Sequence, residues 1–173
     1  TITGNGYTRV IYFNATAGVT VDVDDGTADG DASVGHDDFS GVNGVVGSNF
    51  ADVLRGSNTA PGTIEWFVGR GGNDTIDGGN GDDWIEGNEG NDTLTGGAGA
   101  DKFFMFSTLD SGKSADHRDI ITDFKAGVDF MHLNPMDANS LLDGDQAFTD
   151  IGTAVFGENA GELRRFFENG NTI

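Results

Sequence analysis

The sequence predicts an all-β fold in which short parallel strands coil into a right-handed β-roll. Residues 69–104 divide without gaps into four blocks of nine, namely GRGGNDTID, GGNGDDWIE, GNEGNDTLT and GGAGADKFF. In every block glycine holds the first and fourth places, aspartate the sixth and an apolar residue the eighth. Such a fixed period is typical of a parallel β-helical repeat. A flexible glycine-rich linker is the compositional alternative, but it would have no reason to keep aspartate and an apolar residue in phase.

Each block predicts one turn followed by one short strand. The turn G-x-x-G-x-D needs glycine because its backbone enters conformations closed to residues with a Cβ atom. In the strand, alternation sends only the eighth-place side chain inward. The inward residues are Ile76, Ile85, Leu94 and Phe103. Two blocks complete one coil, so carboxylates two blocks apart should stack about 4.8 Å apart. The stacked pairs are Asp74 with Asp92 and Asp83 with Asp101.

The phased aspartates predict calcium binding. One buried side chain per block returns less free energy than ordering the block costs, and stacked carboxylates repel one another. Ca²⁺ takes about 6–8 oxygen ligands from carboxylates and carbonyls, so ions between the turns would make folding favourable. We expect roughly three to five ions. The candidate ligands are the carboxylates of Asp74, Asp83, Asp92 and Asp101 and the turn residues Gly69, Gly71, Gly78, Asn80, Gly87, Glu89, Gly96 and Ala98.

The pattern G-G-x-G-x-D-x-U-x resembles the RTX repeats of exported bacterial proteins. The later segments DIITDFKAGVDFMHLNPMDAN and AFTDIGTAVFGENAGELRRF resemble the C-terminal domain of serralysin-type metalloproteases, a cap also found on other type I-secreted enzymes. This resemblance implies that the segment closes the β-roll. It also implies that Asp119, Asp123 and Asp129 are further Ca²⁺ ligands. The sequence departs from the family at His132, where another aspartate is usual.

The chain is predicted to form one continuous domain with three parts. Residues 1–34 should form strands and degenerate coils, residues 35–104 the β-roll, and residues 105–173 the cap. Strands are predicted at residues 7–13 and 19–23. Asp37 and Asp52 hold the aspartate place of imperfect blocks, and residues 56–62 form an inserted loop. Glu65 falls at the aspartate place before the first complete block and should stack on Asp83; whether it completes a metal site stays open.

Other acidic and apolar positions carry weaker expectations. The acidic loop at residues 22–31 lacks the spacing of a helical calcium loop, so a solvated turn is favoured over a metal site. A cap must cover the apolar centre of the last coil. The side chains predicted to fill this end of the core, as plugs, are Phe124, Phe130, Leu133 and Phe148. Residues 160–167 fit a short helix or, equally, a strand.

Composition narrows the class of protein. Asp and Glu outnumber Lys and Arg by 29 to 9, which leaves a formal charge of −20. This argues against nucleic acid or an anionic membrane surface as a partner. Cysteine is absent, so a bound metal, rather than a disulfide, would have to cross-link separate parts of the chain. The sequence shows no membrane span or signal peptide, and we expect the chain to be part of a longer exported protein.

We therefore expect a calcium-dependent folding and secretion module, located outside the cell. Its expected partners are an upstream domain of the same polypeptide and the type I secretion machinery. A polysaccharide-binding or surface-binding module, as on alginate epimerases and adhesins, is the alternative. Trp66 and Trp84 point outward and could either stack on sugars or shield the sheet. A catalytic fragment of a hydrolase is less favoured, because the chain lacks H-E-x-x-H and G-x-S-x-G motifs.

Overall fold

The computed structural model describes residues 1–58, 63–107, 110 and 118–133, together with short strands between residues 149 and 172. These described residues contain sixteen strands and no helix. The strands are β1 Ile2–Ile11, β2 Thr20–Asp22, β3 Thr27–Asp29, β4 His36–Val46, β5 Val53–Arg55, β6 Trp66–Gly71, β7 Thr75–Asp77, β8 Trp84–Glu89, β9 Thr93–Thr95, β10 Lys102–Phe104, β11 Ile120–Ile121, β12 Phe130–His132, β13 Thr149–Asp150, β14 Glu162–Leu163, β15 Phe167–Glu168 and β16 Asn171–Thr172. Nothing in the described part of the chain is a helix long and apolar enough to span a membrane.

Strands of alternate blocks pair in parallel and build the two faces of a β-roll. One face contains β4, β6, β8, β10 and β12 in that order, and the other contains β5, β7, β9 and β11. Phe67 pairs with Ile85 on the first face, and Ile76 pairs with Leu94 on the second. The register therefore advances by two blocks per coil. This confirms the predicted all-β, parallel β-roll.

Two columns of inward side chains fill the roll. The eighth-place residues of the four blocks are all at most 1% exposed, as predicted. One column consists of Val45, Phe67, Ile85 and Phe103, and the other of Val21, Leu54, Ile76, Leu94 and Ile121. Since each strand is short, each face contributes one buried side chain per coil. The core is therefore a stack of single side chains rather than a broad layer.

At the N-terminal end of the roll, β1 pairs in parallel and β3 antiparallel with β4. Strands β1 and β2 overlap the two predicted strands. Strand β3 lies between β2 and β4, pairs antiparallel with both and joins the two faces in one 12-stranded sheet. The prediction that Asp37 holds the aspartate place of a coil is wrong, because Asp37 pairs with Ala28 in this ladder. Residues 30–35 form the hairpin turn between β3 and β4, which leaves no repeat turn before Asp37.

The C-terminal strands β11 and β12 add one more coil to the roll. Phe124 is half-buried and its ring lies 6.1 Å from the ring of Phe103, as expected for a plug. Leu133 is half-buried, whereas Phe148 lies outside the described residues. Within residues 160–167, for which helix and strand were equally predicted, the structure has strand at Glu162–Leu163 and the start of β15.

Phe130 does not act as a plug and is 53% exposed. In the pairing of β10 with β12, Phe130 lies beside Lys102 and Met131 lies beside Phe103. Phe103 points into the core. Since side chains alternate along a strand, Phe130 falls on the outer face, and the prediction for it is wrong.

Candidate metal sites in the turns

Two ladders of acidic residues follow the turns on the two sides of the roll. In each ladder the backbone N–H of one acidic residue donates to Oδ1 of the acid in the next coil. On one side the bonds run from Asp52 to Asp74 (2.8 Å), from Asp74 to Asp92 (2.8 Å) and from Asp92 to Asp119 (2.9 Å). On the other side they run from Glu65 to Asp83 (3.0 Å), from Asp83 to Asp101 (3.0 Å) and from Asp101 to Asp129 (3.1 Å). Acidic residues two blocks apart therefore stack, and Glu65 stacks on Asp83.

Each aspartate inside the four blocks keeps one oxygen without a hydrogen-bond partner. These oxygens are Oδ2 of Asp74, Asp83, Asp92 and Asp101. The four residues are at most 1% exposed, so water reaches them poorly. A buried carboxylate oxygen without a donor or a cation is strongly unfavourable. The four turns therefore present oxygens whose burial requires a compensating positive charge.

Backbone carbonyls converge on the same positions. A methyl group on Gly78 would lie 2.6 Å from Oδ2 of Asp83 and 2.7 Å from the carbonyl oxygen of Gly96 in the next coil. A methyl group on Gly69 would likewise meet Oδ2 of Asp74. The first-place glycines do not have a positive φ. Glycine is needed because the aspartate of the same turn approaches all four closely, and at Gly69 and Gly78 a carbonyl oxygen of the next coil does so as well. Carboxylate and carbonyl oxygens side by side form the donor set that Ca²⁺ prefers.

The third-place residues join successive coils through their backbones. Gly71 pairs with Glu89, and Asn80 forms a β-bridge with Ala98. The carbonyl of Glu89 accepts a hydrogen bond from the N–H of Gly72 (3.0 Å), and that of Ala98 from the N–H of Gly81 (2.8 Å). Each carbonyl oxygen has a second lone pair. These predicted ligands thus hold the turns in register and keep capacity for a cation.

Comparison with protein-family models matches residues 65–103 to the RTX calcium-binding nonapeptide repeat, in four copies. Residues 65–103 are RTX repeats. These repeats bind Ca²⁺, and the RTX repeat is a structural unit rather than a catalytic one. No curated protein matches the chain. Among the described residues, no three His, Asp or Glu side chains form a metal-binding group by themselves, so backbone carbonyls must supply part of the coordination.

Burial raises the pKa values of the RTX carboxyls. It raises the pKa of Asp74 to about 8, of Asp83 to about 7 and of Asp92 to about 6. It also raises the pKa of Asp101, and that of Asp119 to about 7. Neighbouring carboxylates add to the effect of burial at all five positions. Without a cation the folded turns therefore favour the neutral acid, whereas a nearby divalent ion favours the carboxylate.

The predicted ligands next to the repeats lie in a different environment. Oε2 of Glu65 accepts a hydrogen bond from the N–H of Ser57 (2.8 Å), and Oδ2 of Asp129 accepts one from the N–H of Lys125 (2.7 Å). Asp123 accepts two bonds from consecutive N–H groups at the start of the fourth block (2.9 and 2.7 Å). Backbone donors thus compensate part of the charge on these carboxylates, unlike Oδ2 of the four RTX aspartates.

Sequence reasoning missed the backbone conformation at the second place of each RTX repeat. The φ angle there is 88° at Arg70, 87° at Gly79, 66° at Asn88 and 96° at Gly97. Residues with a Cβ atom rarely adopt such values. Glycine in two blocks and asparagine in a third were the available signals, because both residue types tolerate this conformation.

The two outward tryptophans are half-buried on the outer face of β6 and β8. The guanidinium carbon of Arg9 lies 4.2 Å from the ring centroid of Trp66, and Nζ of Lys102 lies 4.9 Å from that of Trp84. Nε1 of Trp66 also donates to Glu86 (3.1 Å). One face of each ring is thus covered by a cation. This arrangement favours shielding of the sheet over stacking on sugars.

The acidic loop at residues 22–31 uses its carboxylates in hydrogen bonds within the protein. Asp24 accepts hydrogen bonds from the backbone N–H (3.2 Å) and the side-chain amide (3.1 Å) of Asn58. Asp31 accepts one from the hydroxyl of Thr16 (2.6 Å). Asp22 accepts a hydrogen bond from the backbone N–H of Asp25 (3.0 Å). Such a local bond is typical of a carboxylate-rich turn, in line with the solvated turn favoured by its spacing.

Proposed function

We propose that this chain is a calcium-dependent folding module of an exported bacterial protein. The observation that carries the proposal is the set of four buried, unpartnered carboxylate oxygens, one in each RTX repeat. Without cations these oxygens oppose folding, because they are removed from water and receive no hydrogen bond. With Ca²⁺ bound they hold successive coils together, so the free energy of binding becomes free energy of folding.

The ligands that fit Ca²⁺ best are the unpartnered oxygens and the carbonyls beside them. Oδ2 of Asp74 lies next to the carbonyl oxygen of Gly87 around Gly69, and Oδ2 of Asp83 lies next to that of Gly96. In both cases one oxygen comes from each of two neighbouring coils. Bound Ca²⁺ would neutralise the carboxylates and link these coils. The third-place residues Gly71, Asn80, Glu89 and Ala98 complete the shell as carbonyl donors from the same turns.

Calcium-dependent folding is compatible with export, because the chain would stay unfolded in the cytosol and fold outside the cell. Cytosolic calcium is too low to fill sites whose Kd is about 10⁻⁴–10⁻³ M, so the module would stay unfolded and able to pass a type I exporter. Outside the cell it would fold and promote folding of an upstream domain. The RTX match over residues 65–103, the charge of −20 and the absence of cysteine support this proposal.

A calcium titration of the purified chain at pH 7 tests the proposal. Far-ultraviolet circular dichroism should show little β structure in excess EDTA and a cooperative gain as CaCl₂ is added, with a midpoint of about 10⁻⁴–10⁻³ M. MgCl₂ is the matched control. It should not replace CaCl₂, because Mg²⁺ demands near-octahedral geometry and keeps its waters. An unchanged β signal in excess EDTA would refute the proposal.

A further inference from the structure

The carboxylates of the turns fall into two groups. In the turns that end at Asp74, Asp83, Asp92 and Asp101, Oδ2 has no partner; we name these the open turns. In the turns that end at Asp52, Glu65, Asp110 and Asp129, the second oxygen accepts a hydrogen bond from the backbone N–H of the second-place residue; we name these the closed turns. The closing bonds come from Ser48 (2.6 Å), Ser57 (2.8 Å), Phe106 (2.7 Å) and Lys125 (2.7 Å).

The two groups differ in one backbone angle. In the open turns the second-place φ is positive, at Arg70, Gly79, Asn88 and Gly97. Among the described residues, Arg70 and Asn88 are the only non-glycine residues with positive φ. The second-place residues of the closed turns are Ser48, Ser57, Phe106 and Lys125, and their φ angles are therefore negative. Thus every described turn that has a positive second-place φ is open, and every one that has a negative φ is closed.

The angle decides the outcome because φ is the rotation about the bond between N and Cα. This rotation sets where the N–H of a residue points relative to the chain that follows it. With negative φ the second-place N–H reaches the carboxylate that ends its own turn. With positive φ the N–H points elsewhere, and the carboxylate oxygen is left for another partner. Glycine and asparagine enter positive φ readily, whereas serine, phenylalanine and lysine rarely do.

We propose that the second-place residue determines which turns bind Ca²⁺, open turns binding it and closed turns being satisfied by their own N–H groups. The calcium-dependent part of the roll then runs from Gly69 to Asp101, and Glu65 and Asp129 are not ligands. This inference rests on the proposed function and refines it. In the closed turns before β5 and β6 and after β10 and β11, a backbone N–H takes the place of a metal at the carboxylate. The calcium-bound coils thus lie between metal-independent ends.

Substitutions at Asn88 test this inference, since Asn88 is a non-glycine residue that holds a positive φ (66°) in an open turn. Asn88→Gly keeps positive φ accessible, whereas Asn88→Val strongly disfavours it because β-branched residues avoid that region. Calorimetric titration with CaCl₂ should give the wild-type stoichiometry for Asn88→Gly. For Asn88→Val it should give at least one ion fewer per chain and a midpoint raised about tenfold. Phe106→Ala, in a closed turn, is the matched control and should keep the wild-type stoichiometry.

The outcomes separate this inference from the proposed function. Equal stoichiometry and midpoint for Asn88→Gly and Asn88→Val would overturn the inference while wild-type calcium binding still upheld the function. Should Asn88→Val not fold at any CaCl₂ concentration, Arg70→Gly decides. It relieves an unfavourable φ of 88° and should lower the CaCl₂ midpoint about fivefold. A midpoint unchanged by Arg70→Gly would overturn the inference.

Discussion

Replacing Asp74 with asparagine removes one unpartnered oxygen and leaves the ladder intact. Oδ1 would still accept the hydrogen bond from the N–H of Asp52 (2.8 Å), while an amide would replace the buried Oδ2. The two side chains have nearly the same shape, so packing is unchanged. The substitution therefore isolates the charge on one oxygen, and we expect its effect to change sign between EDTA and CaCl₂.

In EDTA, Asp74→Asn should stabilise the fold. Burial raises the pKa of Asp74 to about 8 from its ordinary value of 3.8. At pH 7 the folded chain must therefore take up a proton that the unfolded chain does not bind. The gap between 3.8 and pH 7 corresponds to at most about 4 kcal/mol, at about 1.36 kcal/mol per pH unit. Asparagine is neutral in both states and avoids this penalty.

In CaCl₂, Asp74→Asn should weaken the fold. Loss of an ionised ligand removes roughly 1.5–3 kcal/mol, which raises the CaCl₂ midpoint about 10- to 100-fold. Circular dichroism measures both effects: the β signal that remains in excess EDTA at pH 7, and the midpoint of its recovery with CaCl₂. The variant should show more β signal than the wild type in EDTA and need more calcium to saturate.

Asp52→Asn is the matched control in the same ladder. Oδ2 of Asp52 accepts the N–H of Ser48 (2.6 Å), and Oδ1 accepts the N–H of Val19 (2.8 Å). An amide donor at either position would lose an acceptor and cost about 1–3 kcal/mol, with or without calcium. If Asp74→Asn behaved like Asp52→Asn and lowered the β signal in EDTA, Oδ2 of Asp74 would not be an uncompensated charge, and the reasoning would be refuted.

Three further predictions follow from the same turns and core. In EDTA, acidification from pH 8 to 5 should increase the β signal in circular dichroism. Burial raises the folded pKa values of the RTX carboxyls to as much as about 8. As neutral acids they stabilise the fold fully below the unfolded pKa value, and this stabilisation is lost as the pH rises through the folded values. In CaCl₂ acidification should instead lower the melting temperature, and a change in stability of the same sign under both conditions would contradict this. Gly69→Ala should abolish calcium-dependent folding in a CaCl₂ titration, because its methyl group would lie 2.7 Å from the carbonyl oxygen of Gly87 in the next coil. The control Gly71→Ala, whose methyl group would have its nearest atoms at 3.9 Å, should stay close to wild type. Equal losses of folding in the two variants would show that close approach is not the reason for the first-place glycine. Phe67→Ala should lower the free energy of unfolding in CaCl₂ by about 3–5 kcal/mol in urea titration, against about 0.5 kcal/mol or less for the exposed control Tyr7→Ala; a loss at Phe67 no larger than at Tyr7 would contradict the single-column core.

The sequence by itself determined the repeat, its register and its metal. A nine-residue period with one apolar place forces a short strand to bury one side chain, and two such blocks per coil bring Ile76 over Leu94. The same period of two blocks per coil places Asp74 over Asp92. Stacked, buried carboxylates need a cation, so the chemistry of the RTX repeat follows from spacing alone. These properties are periodic, and periodic properties can be read from a linear sequence.

Only the tertiary structure decided which carboxylates are free to bind and where the period stops. Asp52 and Asp74 are the same residue at the same place of the same ladder, yet the N–H of Ser48 closes the first and no N–H reaches Oδ2 of the second. The antiparallel pairing of Asp37 and the outward turn of Phe130 likewise depend on which strand lies alongside. The physical reason is that the direction of a peptide N–H, and the face on which a side chain falls, depend on backbone angles and strand partners. Residue identity biases these choices, and packing completes them.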